Sequence, residues 1–188
     1  MKTNEYIIIH HSLVSRNKNS AQFKAIDNFH KRKGWGRCGY HYVIEPDGKV
    51  EIGREHNEVG AHCTQKWMNY RSIGICLSGN FDLEEPTKEQ KESLLKLLNE
   101  LQAKYGIDDS KVKLHRDFAT YKTCPGSRIP NDIRGYLDLE DDCPKWAKKG
   151  REWVIRQGIS NGSRPNELVT RAEIFTMLYN TFNKESEE

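Results

Sequence analysis

Three residues able to hold a metal are His10 and His115, each at the end of a short apolar run, and Cys124, in a loop nine residues further on. Two imidazoles and a thiolate make a three-ligand shell with a fourth position open to water, the arrangement of catalytic rather than structural zinc. His10 is followed by His11. Neighbouring strand residues point to opposite faces, so only one of the pair can share a site with His115. Taken singly, each residue has a second reading. His10 serves equally as a hydrogen-bonded structural histidine, and Cys124 equally as a small buried thiol. His115 follows a short apolar strand at its C-terminal end, where open α/β sheets place their sites.

The elements that must position these groups follow from periodicity. Tyr6-Ile-Ile-Ile-His10 reads as a buried central strand. Ser20 can cap a helix from Ala21 to about Lys33, with Phe23, Ile26, Phe29 and His30 along one side and Gly34-Trp-Gly36 as its end. His41 to Ile44 and Lys49 to Ile52 read as two strands around the turn Pro46-Asp-Gly48. Ser72 to Leu77 is another apolar strand. Thr87-Lys-Glu-Gln90 has the form of a capping box. It opens a long helix with a core face of Leu94, Leu95, Leu97, Leu98 and Leu101, stopped by Gly106. Lys111 to His115 is a short strand, and an irregular loop then runs through Cys124-Pro125-Gly126. Strands interleaved with helices predict an α/β fold, a central mixed β-sheet flanked by helices.

At 188 residues the chain accommodates one domain of ordinary size and a small appendage. The composition changes after Asp138, where an acidic linker begins, which predicts a domain over 1–138 and a small helical module over 139–188. In the module, Trp146, Trp153 and Val154 share one helical side, and Thr170-Arg-Ala-Glu173 caps a helix carrying Ile174, Phe175, Leu178 and Phe182. The net charge of +3 comes from basic and acidic residues that are interleaved, which argues against a nucleic-acid partner. No apolar run approaches the ~20 residues of a membrane span, so no membrane insertion is expected. Nor is there an export signal near Met1, so synthesis and folding in a cytoplasm are expected. Five cysteines, an odd number, favour thiols or metal ligands over a disulfide framework.

Seven separated motifs occur in order: Ile-Ile-Ile-His10-His-Ser, Gly39-Tyr40-His-Tyr, Gly48-Lys-Val-Glu-Ile-Gly-Arg54, Val59-Gly-Ala-His62, Asn69-Tyr-Arg-Ser-Ile-Gly74, Leu114-His115 and Lys122-Thr-Cys124-Pro125. Over about Tyr6 to Pro130 the chain thereby resembles the N-acetylmuramoyl-L-alanine amidases of the phage-lysozyme and peptidoglycan-recognition-protein type. The resemblance implies one Zn2+ ion held by His10, His115 and Cys124, with Tyr40 and Lys122 assisting catalysis. It implies that His11 is not a ligand. His62 corresponds to a histidine of the family's cleft or of the groups behind the ligands, and Trp35, Trp67 and Asn69 are candidates to line a glycan-peptide groove. Some relatives carry a glutamate base where this chain has Cys76, so a tyrosine-lysine version of the site is expected, with Cys76 as packing.

The expected activity is hydrolysis of the amide between N-acetylmuramic acid and L-alanine in peptidoglycan, in the manner of an endolysin acting on the wall after the membrane is breached. A non-catalytic peptidoglycan-binding protein and an amidase of soluble muropeptides are the rivals. About Pro144 to Asn183 resembles a single surface-layer-homology motif. It implies a secondary cell-wall polymer as a further partner. A segment this small rarely buries enough surface to be stable alone, so docking on the amidase domain or association with copies from other chains, a homo-oligomer, is expected.

Overall fold

The computed structural model describes residues 2–17, 22–138, 150 and 174–178. The elements are β1 (Tyr6–His11), α1 (Phe23–Arg32), β2 (Tyr42–Ile44), β3 (Val50–Ile52), α2 (Met68–Arg71), β4 (Ser72–Leu77), α3 (Lys88–Tyr105), β5 (Val112–Leu114) and α4 (Ile133–Asp138). One sheet takes the strands in the order β3-β2-β4-β1-β5. β1 lies parallel between β4 and β5, β2 is parallel to β4, and only β3 runs antiparallel, closing the Pro46–Gly48 hairpin. This is the mixed α/β sheet that the strand and helix periodicities predict.

Alternation along β1 sorts its residues. Ile7 and Ile9 join Ile73, Ile75, Leu77, Val112 and Leu114 in one large cluster with Leu94, Leu97, Leu98 and Leu101 of α3. Ile8 faces the other way, into a separate small cluster with Cys63 and Met68. Val43 and Cys76 pack with Ile26 of α1 and Cys38 in a third. α3 begins where the sequence places it. The Thr87 hydroxyl accepts from the Gln90 N–H at 3.0 Å, and the Gln90 carboxamide accepts from the Thr87 N–H at 3.2 Å. The buried Gln90 also donates to Ile44 O and Ser78 O, tying the start of the helix to the ends of β2 and β4. Gly106, at φ 64°, ends α3 in the left-handed conformation that glycine adopts without a Cβ penalty.

Three expectations shift. The expected cap Ser20 and first residue Ala21 lie outside the described residues; the helix runs Phe23–Arg32 with Gln22 in the cap position and no side-chain cap. Phe29 is not on the buried side but 47% exposed, beneath the Lys33 ammonium. The last predicted strand ends at Leu114, and His115–Asp117 form a 3-10 turn. α2 and α4, both short, have no counterpart in the sequence reading.

The chain divides into two compact units, Met1–Leu139 and Glu140–Glu188. In the second unit residues 174–178 are helical; Trp146, Trp153, Val154, the Thr170–Glu173 box and Phe182 lie outside the described residues. No described helix is long and apolar enough to cross a membrane.

Candidate metal centre

His10 is the fifth residue of β1 and points away from α3; its partner in the register on β4 is Cys76. His11 takes the opposite face, where its Nδ1 accepts the Phe81 N–H at 3.2 Å. The parity of the strand thus separates one histidine for the site from one that satisfies the backbone. His115 starts the turn after β5, and that turn is fixed by the Asp117 carboxylate accepting the Leu114 N–H at 2.9 Å. Cys124 comes from the loop beyond, and its sulfur lies 3.8 Å from His10 Nδ1.

One ligand atom from each of His10, His115 and Cys124 lies within 4.8 Å of the others. A tetrahedral zinc with ~2.3 Å bonds to sulfur and ~2.0–2.1 Å bonds to nitrogen separates such atoms by about 3.5 Å. The donor set therefore fits the ion in type and in spread. Burial, followed by the neighbouring His62 and His115, holds the His10 imidazole well below its usual pKa, so it is neutral with a lone pair to give. His115 is lowered to about 4, again mainly by burial. Burial pushes the Cys124 thiol up to about 11, opposed by the His11 N–H and the Lys122 charge, so a cation is needed to draw off its proton.

With Nδ1 facing Cys124, His10 turns Nε2 to His62 Nδ1 at 3.0 Å. A ligand histidine usually hands its other ring nitrogen to such a partner, which fixes tautomer and ring angle. The His62 ring lies in a slot between Gly60 and Gly74. A Cβ on either glycine would come within 2.5 or 2.6 Å of that ring, which accounts for a glycine in each of the two motifs. Below it, His41 Nδ1 accepts the Gly74 N–H at 3.0 Å and the His41 ring stands edge-on to His62.

Tyr40 packs its ring 5.2 Å from that of His10, with its hydroxyl close to the Cys76 thiol. Burial raises the phenol well above its ordinary pKa, so the group is a proton donor rather than an anion. Cys76 is fully buried beside Ile26, Cys38 and Val43, and its thiol is likewise raised well above the usual value. It is packing, as expected, and supplies no base. Cys38 and Cys63 belong to different clusters, and all four described cysteines are free.

A cleft of about 350 Å³ opens onto the site, lined by Trp35, His62, Asn69, His115 and Lys122 together with Ala61, Thr64, Gln65 and Tyr121. The Asn69 carboxamide oxygen is committed to the N–H groups of His62 and Cys63, both at 2.8 Å. Trp67 stands outside the lining, 74% exposed, on a backbone in which Lys66 and Trp67 both have positive φ. Sequence reasoning missed Gln65 and Tyr121, which bond to each other at 3.1 Å across the cleft. Tyr121 stands directly before the Lys122-Thr-Cys124 motif, a signal that was there to use; Gln65 carries none.

Residues 1–127 match the family described as N-acetylmuramoyl-L-alanine amidase. The chain belongs to this amidase family. The endolysin of Enterobacteria phage T3 is 39% identical over 128 residues, 65% of this chain and 81% of the endolysin. Peptidoglycan-recognition protein SC1a of Drosophila melanogaster is 32% identical over 136 residues, 70% of this chain and 72% of that protein. Among solved structures, the N-acetylmuramoyl-L-alanine amidase LysC from Clostridium intestinale URNW matches with a TM-score of 0.62 and 33% identity, covering 74% of this chain and 85% of its own. The amidase fold and an endolysin-like N-acetylmuramoyl-L-alanine amidase activity are therefore those of this chain.

Proposed function

We propose that the amidase is zinc-dependent and that His10, His115 and Cys124 hold the ion while Tyr40 and Lys122 act on the reacting amide of peptidoglycan. The observation that carries this is the convergence of the three ligand atoms within 4.8 Å, with His115 also lining an open cleft. A zinc ion held there would supply the Lewis acidity that activates water for attack at neutral pH.

The other work falls to this chain's own groups. The Lys122 ammonium, on the cleft wall, offers fixed positive charge to the carbonyl oxygen as it gains charge. The Tyr40 hydroxyl, kept protonated by burial, donates to that oxygen or to the departing amine. His62 holds the His10 ring at its angle. Trp35 and Asn69 line the groove for the glycan and its peptide, and the exposed Trp67 indole offers a stacking face beyond it. The retention of this whole set favours an enzyme over a non-catalytic peptidoglycan-binding protein. The likeness to endolysins supports action on the wall after the membrane is breached, and the second unit is proposed to bind a cell-wall polymer or to associate with its own copies.

Digestion of purified peptidoglycan with and without a chelator tests the reading. New amino termini on L-alanine are expected, lost with the chelator and restored by zinc. New reducing sugars in their place, or chelator-resistant cleavage, would overturn it.

A further inference from the structure

Cys124 lies between the His115–Asp117 turn and α4, where no strand or helix holds the backbone. The side chain with the most bonds to this loop is that of Arg116. Nη1 of Arg116 donates to Thr123 O at 3.3 Å and Gly126 O at 2.9 Å, and Nη2 donates to Ile129 O at 2.6 Å. Nη2 and Nε both reach Asn131 Oδ1, at 2.8 and 3.2 Å. A guanidinium has five N–H donors in a rigid plane, and here all five are used. The Arg116 backbone N–H adds a bond to Cys124 O at 2.8 Å.

The placement of these acceptors matters more than their number. Thr123 and Gly126 bracket Cys124, so the fork grips the chain on both sides of the sulfur-bearing residue. From outside the loop, the Asp82 carboxylate accepts the Thr123 hydroxyl at 2.9 Å and the Ser127 N–H at 2.8 Å. Arg116 is also the residue next to His115, so one two-residue step delivers a ligand and the clamp that delivers another.

We propose that Arg116 is a positioning residue for the metal centre, which presets the Cys124 sulfur in ligating geometry before an ion arrives. This rests on the zinc reading above. Arg116→Lys keeps the charge but replaces the planar fork with a single ammonium, which cannot serve four acceptors spread along a loop. The folded R116K protein is expected to bind zinc about 10–100-fold more weakly in competition with a chromophoric chelator, the range typical of lost outer-shell support. The thiolate-to-cobalt absorption band of the cobalt-loaded protein is expected to weaken with it. A residue that only stabilised the fold would lower the melting temperature and leave both readouts unchanged at temperatures where the protein is folded.

Asn131→Ala removes one acceptor from an exposed residue and is expected to weaken zinc binding by a smaller factor. Zinc affinity in R116K equal to that of the unsubstituted chain would overturn this inference alone. No zinc uptake by the unsubstituted chain would overturn it together with the zinc reading. Should R116K fail to fold, unchanged affinity in N131A overturns it.

Discussion

The two faces of the sheet are built to different ends, although the same five strands make both. The face toward α3 is one continuous hydrophobic cluster, from Ile7 and Ile9 through Leu94 and Leu98 to Ile133 and Leu137. The opposite face has two small clusters, one around Cys38 and Val43 and one around Ile8 and Met68. On that face the His10 ring meets His62 edge-on and His115 at a tilt, three polar rings in contact. Stability is concentrated on one side so that the other can hold buried imidazoles, which contribute little to packing. His10 and His11, adjacent in sequence, show the division at its smallest scale.

Substitutions that separate metal binding from folding can break this comparison. Cys124→Ser carries the largest expected effect: zinc affinity falls by at least ~100-fold, beyond what outer-shell changes cost, and activity falls with it. Equilibrium zinc titration beside the melting curve of the metal-free protein is the check, and full activity in C124S would refute the ligand set. Tyr40→Phe is expected to slow hydrolysis by ~10²–10⁴-fold, the usual share of a proton donor, while zinc content stays near one per chain. Loss of zinc from Y40F would mean that the tyrosine supports the ligands instead.

On the α3 face the effects reverse. Leu98→Ala is expected to cost ~2–5 kcal/mol of unfolding free energy by opening a cavity, with zinc affinity of the folded protein unchanged. His11→Ala leaves the Phe81 N–H without its acceptor, a loss of about 1–3 kcal/mol in denaturant titration. If either substitution weakened zinc binding as much as it weakened folding, the division between faces would be wrong.

The last effect appears only in acid. His30 is lowered by burial to about 4 and His41 to about 3, and their Nδ1 atoms accept the N–H groups of Gly39 and Gly74. Both folded-state values lie below 6.5, so the unfolded chain takes up these protons first and stability falls as pH drops from about 6.5 toward 4 and then 3. Replacing either histidine with glutamine should flatten the dependence of stability on pH in that window; an unchanged slope would count against these assignments.

Much of this division was legible in the sequence. The parity of His10 and His11 told that one would leave the site, and the Ile-Ile-Ile run told that β1 would be buried on both faces. The Thr87–Gln90 capping box marked the start of α3. The ligand set was open from residue types alone and became specific through the order of seven motifs. What stayed hidden has physical reasons. Lys66 and Trp67 adopt positive φ although neither is glycine, and no composition signal marks that. The Arg116 fork reads mostly backbone carbonyls, which have no identity in a sequence. Phe29 fits the apolar stripe of α1 and still faces solvent, because the small cluster under that helix is filled by Phe23, Ile26 and Tyr40.

The contact between His10 and Cys124 joins residues 114 positions apart. In terms of chain topology it closes a loop over most of the first unit, and contacts of such long range are among the slowest to form. A chain still being synthesised, or one cut short before Cys124, already has the residues of β1, β4 and α3 but only two of the three proposed ligands. The proposed metal centre is therefore complete only when nearly the whole first unit is present and folded.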